Sequence, residues 1–83
     1  MLILQRGCVV RSLAGKDKNR LLVVVAPDGQ AVLLADGKGR PLERPKRKNV
    51  RHVALTALRL SESEMATNRG LRRALAAREP QPQ

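Results

Sequence analysis

Short apolar runs separated by turn-forming residues dominate the first 60 positions, a pattern typical of a small all-β fold. The clearest run is LLVVVA at 21–26, which is rich in β-branched residues and is ended by Pro27. A second run, AVLLA at 31–35, follows closely. Asp28 and Gly29 stand between them, and Asp-Gly is favoured in hairpin turns whose central residues need a positive φ. The two runs therefore predict a β-hairpin.

Three further segments complete a predicted set of five short strands. Alternation of side chains predicts a first strand at 8–13, and two prolines confine the RPLER segment at 40–44 to an edge or a loop. A cationic loop, PKRKN at 45–49, is expected to lead into a last strand at 50–56. Turn signals recur about every 8 to 12 residues, which favours a small closed barrel over a layered α/β fold with its longer crossovers.

Beyond residue 60 the pattern is that of a short helix. Leu71 and Leu75 lie four residues apart, on a face that we expect to pack onto the barrel. The candidate capping residues are Ser61 with Glu64, and Thr67 or Asn68. We therefore divide the chain into a barrel over residues 1–58 and a helical appendage with a disordered tail over residues 59–83.

The charge of the chain points to a polyanionic partner. Lysine and arginine number 17 against 7 aspartates and glutamates, which gives the 83 residues a net charge of +10. Residues 1–60 hold 13 of the bases and 4 of the acids, so they carry most of the positive charge that would attract a polyanion. Nucleic acid is the first candidate partner and an anionic membrane the second. The absence of Phe, Tyr and Trp removes the stacking platforms that single-strand binders use, so contacts to phosphate, sugar or shape are expected.

Enzymatic and metal-dependent functions find little support in the sequence. Cys8 alternates with Val10 and has no neighbouring base, so we expect a buried apolar thiol. The lone histidine, His52, has no partners at metal-ligand spacing, and we expect it at the surface with a structural hydrogen bond. The seven acids are scattered, so no catalytic group, cofactor or small-molecule substrate is expected. A single cysteine suits a reducing cytoplasm. No apolar run approaches the length of a membrane span.

The stretch GCVVRSLAGKDKNRLLVVVA at 7–26 resembles the KOW motif, in which a strand, a basic glycine-containing loop and a second strand form part of an SH3-like barrel. Together with PKRKNVRHVALT at 45–56, it is similar to the fourteen-e type of large-subunit ribosomal protein and to short bacterial KOW proteins. The matching residues of the late block are Lys46, Arg47, Lys48, Val50, His52, Val53 and Thr56. The resemblance implies a five-stranded SH3-like barrel that binds ribosomal RNA and has no catalytic activity.

One position departs from the KOW pattern, which usually has glycine where this chain has Asn19. Asparagine tolerates a positive φ better than other non-glycine residues, so we expect the turn to survive. Gly15 remains available for the sharper left-handed position. Asp17 is expected to brace the loop by accepting a backbone N–H.

Two basic clusters form the candidate RNA-binding surface. The first cluster is Arg11, Lys16, Lys18 and Arg20. The second cluster is Lys46, Arg47, Lys48 and Arg51. On a tiny barrel the two can converge on one patch that contacts phosphates and releases counterions. A solvated hairpin tip would explain one such run, but less easily two.

Two other functions remain open. KOW domains of transcription-elongation factors also dock proteins such as polymerase, so the chain can be read as a protein-interaction module of the transcription or translation machinery, with polymerase or ribosomal proteins as partners. Such docking would use Met65, Leu71 and Leu75 and would persist at high salt. Peripheral attachment to an anionic membrane is disfavoured, because the sequence predicts no strongly amphipathic, aromatic-bearing helix.

Overall fold

A five-stranded antiparallel sheet and one C-terminal helix make up the computed structural model, which describes residues 4–79. The strands are β1 (Cys8–Ser12), β2 (Leu21–Asp28), β3 (Ala31–Ala35), β4 (Lys46–Asn49) and β5 (Val53–Arg59). The helix α1 spans Asn68–Arg78, and single 3₁₀ turns lie at Val50–His52 and Ser63–Met65. The strand order is β4-β3-β2-β1-β5, so β4 and β5 are the edges. These elements confirm the prediction of a mostly-β chain with a short C-terminal helix.

Strand β2 is buried on both faces of the sheet. Leu21 and Val23 lie in one apolar cluster, and Leu22 and Val24 lie in a second cluster on the opposite face. This double burial explains why the strand reads as a continuous apolar run and shows no alternation, since both sets of side chains leave water. The strand runs on to Asp28 through a register shift after Val24, two residues further than the sequence predicted.

Two predicted elements lie elsewhere in the structure. Asp28 pairs with Ala31, so the hairpin turn is centred on residues 29 and 30, one position later than predicted. The RPLER segment contains no strand; the fourth strand is the basic run Lys46–Asn49, which was predicted to be a loop. Pairing with β3 satisfies its backbone, and its position at the sheet edge leaves its charged side chains access to solvent.

The sheet curls so that its two edge strands approach each other at one end. Only Val50–His52 separates β4 from β5. The four peptide steps from Asn49 to Val53 span at most about 14 Å, whereas a flat sheet would hold its first and fifth strands about 19 Å apart. At the same end, the Lys48 ammonium of β4 donates to Ser12 Oγ of β1 at 2.7 Å, across strands that are not neighbours in the sheet.

The helix covers the outer face of this curled sheet. Met65, Leu71 and Leu75 are buried in the same cluster as Val9 and Val23. The packing of Leu71 and Leu75 therefore agrees with the prediction, and it leaves these three side chains unavailable for the partner docking considered above. No helix within residues 4–79 is long and apolar enough to cross a membrane.

Side chains cap the helical segments as the sequence indicated. Thr67 Oγ1 accepts from the Gly70 amide at 3.0 Å at the start of α1. Ser61 and Glu64 exchange hydrogen bonds between side chain and backbone around the preceding 3₁₀ turn. The predicted disordered tail, residues 80–83, lies outside the described part of the chain.

Candidate nucleic-acid interface

The β1–β2 loop, residues 13–20, presents the first basic cluster. Gly15 and Asn19 have φ angles of 80° and 71°, the left-handed conformations expected from the sequence. The Lys18 amide donates to the Gly15 carbonyl at 3.2 Å, and the Asn19 amide donates to the Ser12 carbonyl at 2.8 Å. These bonds fold the loop back on the end of β1, so the side chain of Lys16 lies at its tip.

Asp17 braces the loop, but through a different bond from the one predicted. Its carboxylate is almost fully buried and accepts from the Arg40 guanidinium at 3.1 Å, where a backbone N–H was expected. Arg40 reaches this position because the chain reverses after β3, where Asp36 Oδ1 accepts from the amides of Lys38 and Arg40, both at 2.9 Å. The ion pair therefore ties the β3–β4 loop, residues 36–45, to the β1–β2 loop.

Strand β4 divides the second basic cluster between its two faces. Lys46 and Lys48 share one face because strand side chains alternate. The Lys48 ammonium donates to Ser12 Oγ and to the Ala14 carbonyl, both at 2.7 Å, which anchors the start of the β1–β2 loop. Arg47 points the other way and forms an ion pair with Asp28 at 2.8 Å.

These elements enclose a cleft of about 490 Å³, which we call the basic cleft. Its lining residues are Ala14, Gly15, Lys16, Asp17, Arg40, Lys46, Lys48 and His52. Four cationic side chains thus face one carboxylate around a concave surface. Lys16 comes from the β1–β2 loop, whereas Arg40, Lys46 and Lys48 lie within nine residues of one another and at least 24 positions further along the chain. The curl of the sheet brings the two segments together.

Three of the eight predicted RNA-binding residues meet in the basic cleft: Lys16, Lys46 and Lys48. Lys18 and Arg20 are exposed on the β1–β2 loop but are not part of the cleft lining. The cleft also contains Arg40 and His52, which the sequence analysis did not place in the RNA-binding set. His52 is exposed, and its carbonyl accepts from the Leu13 amide.

The remaining three predicted residues lie in other surroundings. Arg47 is engaged by Asp28, as described above. Arg11 is half-buried; it donates to the Asn19 carbonyl and lies 3.6 Å from the Glu79 carboxylate. Arg51 borders a second cavity of about 590 Å³. The other residues lining that cavity are mostly apolar or uncharged: Leu4, Gln5, Pro27, Gly29, Gln30, Ala31, Val32 and Val50.

No protein-family model matches the chain, and no curated protein is significantly similar to it. The resemblance to KOW ribosomal proteins therefore rests on the two sequence blocks alone.

The two cleft lysines of β4 differ in a way that stability measurements can detect. Lys48→Met is expected to lower the free energy of unfolding by about 1–3 kcal/mol in the absence of RNA, because a charged donor to two partly buried oxygens is lost. Lys46→Met is the matched control, since Lys46 is exposed two residues away in the same strand; it should change stability by less than about 0.5 kcal/mol. Denaturant unfolding measures both, and equal stabilities would contradict a bracing role for Lys48.

Proposed function

We propose that the protein is a non-catalytic RNA-binding module that holds the ribose-phosphate backbone in the basic cleft. The observation that carries this proposal is the convergence of Lys16 and Lys46, thirty positions apart, on one concave surface with Arg40. Like charges at this density repel one another unless counterions or a polyanion neutralise them. Binding an RNA backbone releases those counterions and so gains free energy.

The pairing of Arg40 with Asp17 supports recognition of phosphate. An arginine has five N–H donors, and Asp17 accepts from Nε, so the remaining donors are held in a fixed orientation. A phosphate at the cleft can accept from such a guanidinium with little loss of side-chain entropy. Lys16 and Lys46 add mobile point charges on either side. The absence of Phe, Tyr and Trp removes the large aromatic platforms on which bases usually stack, which fits contacts to the RNA backbone.

We further infer that the curled sheet is an SH3-like barrel and that the RNA is ribosomal. The three-residue connection between the two edge strands and the bond from Lys48 to Ser12 are the features that favour a barrel. A barrel of this kind would agree with the KOW resemblance of the two sequence blocks, and the resemblance in turn favours ribosomal RNA in the cytoplasm as the partner.

A protein-interaction module is the second candidate, and the second cavity is the observation that favours it. Leu4, Pro27 and Val50 give that cavity an apolar lining. Val50 is also one of the large apolar side chains that are exposed in the described part of the chain. Docking at this cavity would bury apolar surface and would depend little on salt.

The salt dependence of binding separates the two candidates. Fluorescence anisotropy with a labelled RNA stem-loop is expected to show affinity falling about 50- to 2,000-fold between 50 and 200 mM salt, the result for four to six phosphate contacts. A single-stranded RNA of equal length tests whether structure is required. No binding at 50 mM salt, or an affinity unchanged by salt, would contradict the proposed function.

A further inference from the structure

The solvent-facing side of α1 carries three arginines. Arg69, Arg72 and Arg73 are exposed and lie at helical spacings of three and four, so they share one face. The opposite face is the one buried against the sheet through Leu71, Ala74 and Leu75. The three guanidinium groups therefore lie on one side of a helix whose opposite side is packed against the sheet.

The net charge of the C-terminal segment, residues 61–83, differs from the charge on the exposed face of α1. Residues 61–83 carry three acids against four bases, nearly neutral in sum. In the structure each of these acids is engaged by an arginine outside the three. The pairs are Arg6 with Glu62 at 2.9 Å, Arg78 with Glu64 at 3.1 Å and Arg11 with Glu79 at 3.6 Å. The exposed face of α1 is consequently strongly positive, although its segment is nearly neutral in sum.

Hydrogen bonds hold two of these acids in the ionised form. Donation from Arg6 holds the pKa of Glu62 below its ordinary value, and donation from the Ser61 amide does the same for Glu64. Among the ion pairs within residues 4–79, none includes Arg69, Arg72 or Arg73.

The placement of these arginines works against the stability of the helix. The first turn of α1 contains no acid and does contain Arg69, at the end where the helix dipole disfavours a cation by about 0.3–1 kcal/mol. Like charges three and four residues apart each cost about 0.2–0.5 kcal/mol more. Glu43 lies beside the start of the helix, but its carboxylate accepts from the side-chain Nδ2 of Asn68. Folding alone gives no reason for this arrangement, whereas a bound polyanion would.

The β3–β4 loop joins this face to the basic cleft. Gly37 is in close contact with the backbone of α1, since a Cβ built on it would lie 2.2 Å from the Asn68 carbonyl oxygen. The Leu42 amide donates to Asn68 Oδ1 at 2.8 Å. In the same loop, Arg40 lines the cleft and Lys38 is exposed. Positive charge is therefore distributed from the cleft, along the loop, to the helix.

We propose that the outer face of α1 is a second phosphate-binding surface, and that one RNA backbone path runs from the basic cleft across the β3–β4 loop to Arg69, Arg72 and Arg73. The proposal rests on the proposed function, because it extends the same RNA beyond the cleft. The helix then has a binding role besides covering the sheet, and it contributes about three phosphate contacts of its own.

The test compares the salt dependence of RNA binding in four proteins. The helix variant combines Arg69→Gln, Arg72→Gln and Arg73→Gln, which keep good helix formers at exposed positions. The cleft variant combines Lys16→Gln and Lys46→Gln. Arg59→Gln is the control for loss of one positive charge outside both proposed surfaces, because Arg59 is an exposed arginine at the end of β5 farthest from Val53 and the cleft. The probe is a labelled double-stranded RNA stem-loop, and circular dichroism checks that each variant is folded.

The helix variant is expected to reduce the steepness of log K against log salt by about 2 to 3, and the cleft variant by about 1.5. Arg59→Gln should reduce it by much less than the value of about 0.7 to 0.9 that one phosphate contact contributes. A helix variant that binds like the wild type, with a weakened cleft variant, would overturn the helix surface and leave the proposed function standing. A weakened helix variant with an unchanged cleft variant would overturn both the cleft function and the joint path. Absence of RNA binding by the wild type would overturn both proposals.

Discussion

Reversing the charge of Lys16 and Lys46 to glutamate is expected to weaken RNA binding about a hundredfold or more. The two substitutions remove two phosphate contacts, each a charge-assisted interaction of about 1.5–3 kcal/mol, and place repulsive carboxylates in the basic cleft. Both side chains are exposed, and neither takes part in the side-chain hydrogen bonds or ion pairs described for the cleft. Stability should therefore change little, and anisotropy at low salt measures the loss of affinity.

Two controls make this result specific to the cleft. Arg47→Gln alters the residue next to Lys46 in the same strand, on the face that meets Asp28. Arg59→Glu reverses an exposed charge at the far end of β5. Both should retain binding within a few-fold. If the double reversal binds as well as these controls, the basic cleft is not the RNA site.

The hairpin of β2 and β3 could be predicted because its determinants are local. A continuous β-branched run, a turn with a glycine and a second apolar run specify it within 15 residues. The left-handed turn positions, Gly15 and Asn19, could be predicted for the same reason. Each residue type has a conformational preference that the neighbouring strands do not need to supply.

Strand β4 could not be predicted from local preference, because lysine and asparagine are depleted in strands. Its backbone is fixed by pairing with β3, in which Val32 lies opposite Lys48 and Leu34 opposite Lys46. A loop prediction for this basic run also gives no indication that its side chains are divided between the two faces of a strand. Only strand alternation separates Arg47 from its two lysine neighbours.

The cationic surfaces were predicted only in part, because charge sums ignore pairing. The sequence identified Lys16 and Lys46, but Arg40 joins them through an ion pair with Asp17 that links positions 23 residues apart. The helix arginines were assigned no binding role since their segment is nearly neutral. Their exposed charge emerges once the tertiary fold has matched each nearby acid with another arginine.

Gly37→Ala is expected to destabilise the fold by about 3–5 kcal/mol, among the largest effects of a single substitution. Gly37 has a φ of 80°, which costs an L-residue about 1–2 kcal/mol. Its new Cβ would also lie 2.2 Å from the Asn68 carbonyl oxygen and 3.0 Å from the Arg72 amide nitrogen, so the loop and α1 must separate. In a domain of this size such a loss lowers Tm by more than about 12 °C, which thermal unfolding measures.

Two other glycines separate the two causes of this loss. Gly29 has a φ of 62° with nothing within 4 Å of a built Cβ, so Gly29→Ala should cost only the conformational penalty of about 1–2 kcal/mol. Gly39 also has open space and no left-handed φ, so Gly39→Ala should be neutral or stabilising by up to about 1 kcal/mol. A Gly37→Ala protein as stable as Gly29→Ala would mean that the β3–β4 loop does not pack against α1. The loop would then fail to connect the cleft with the helix, so this series tests the scaffold of the proposed RNA path independently of any RNA.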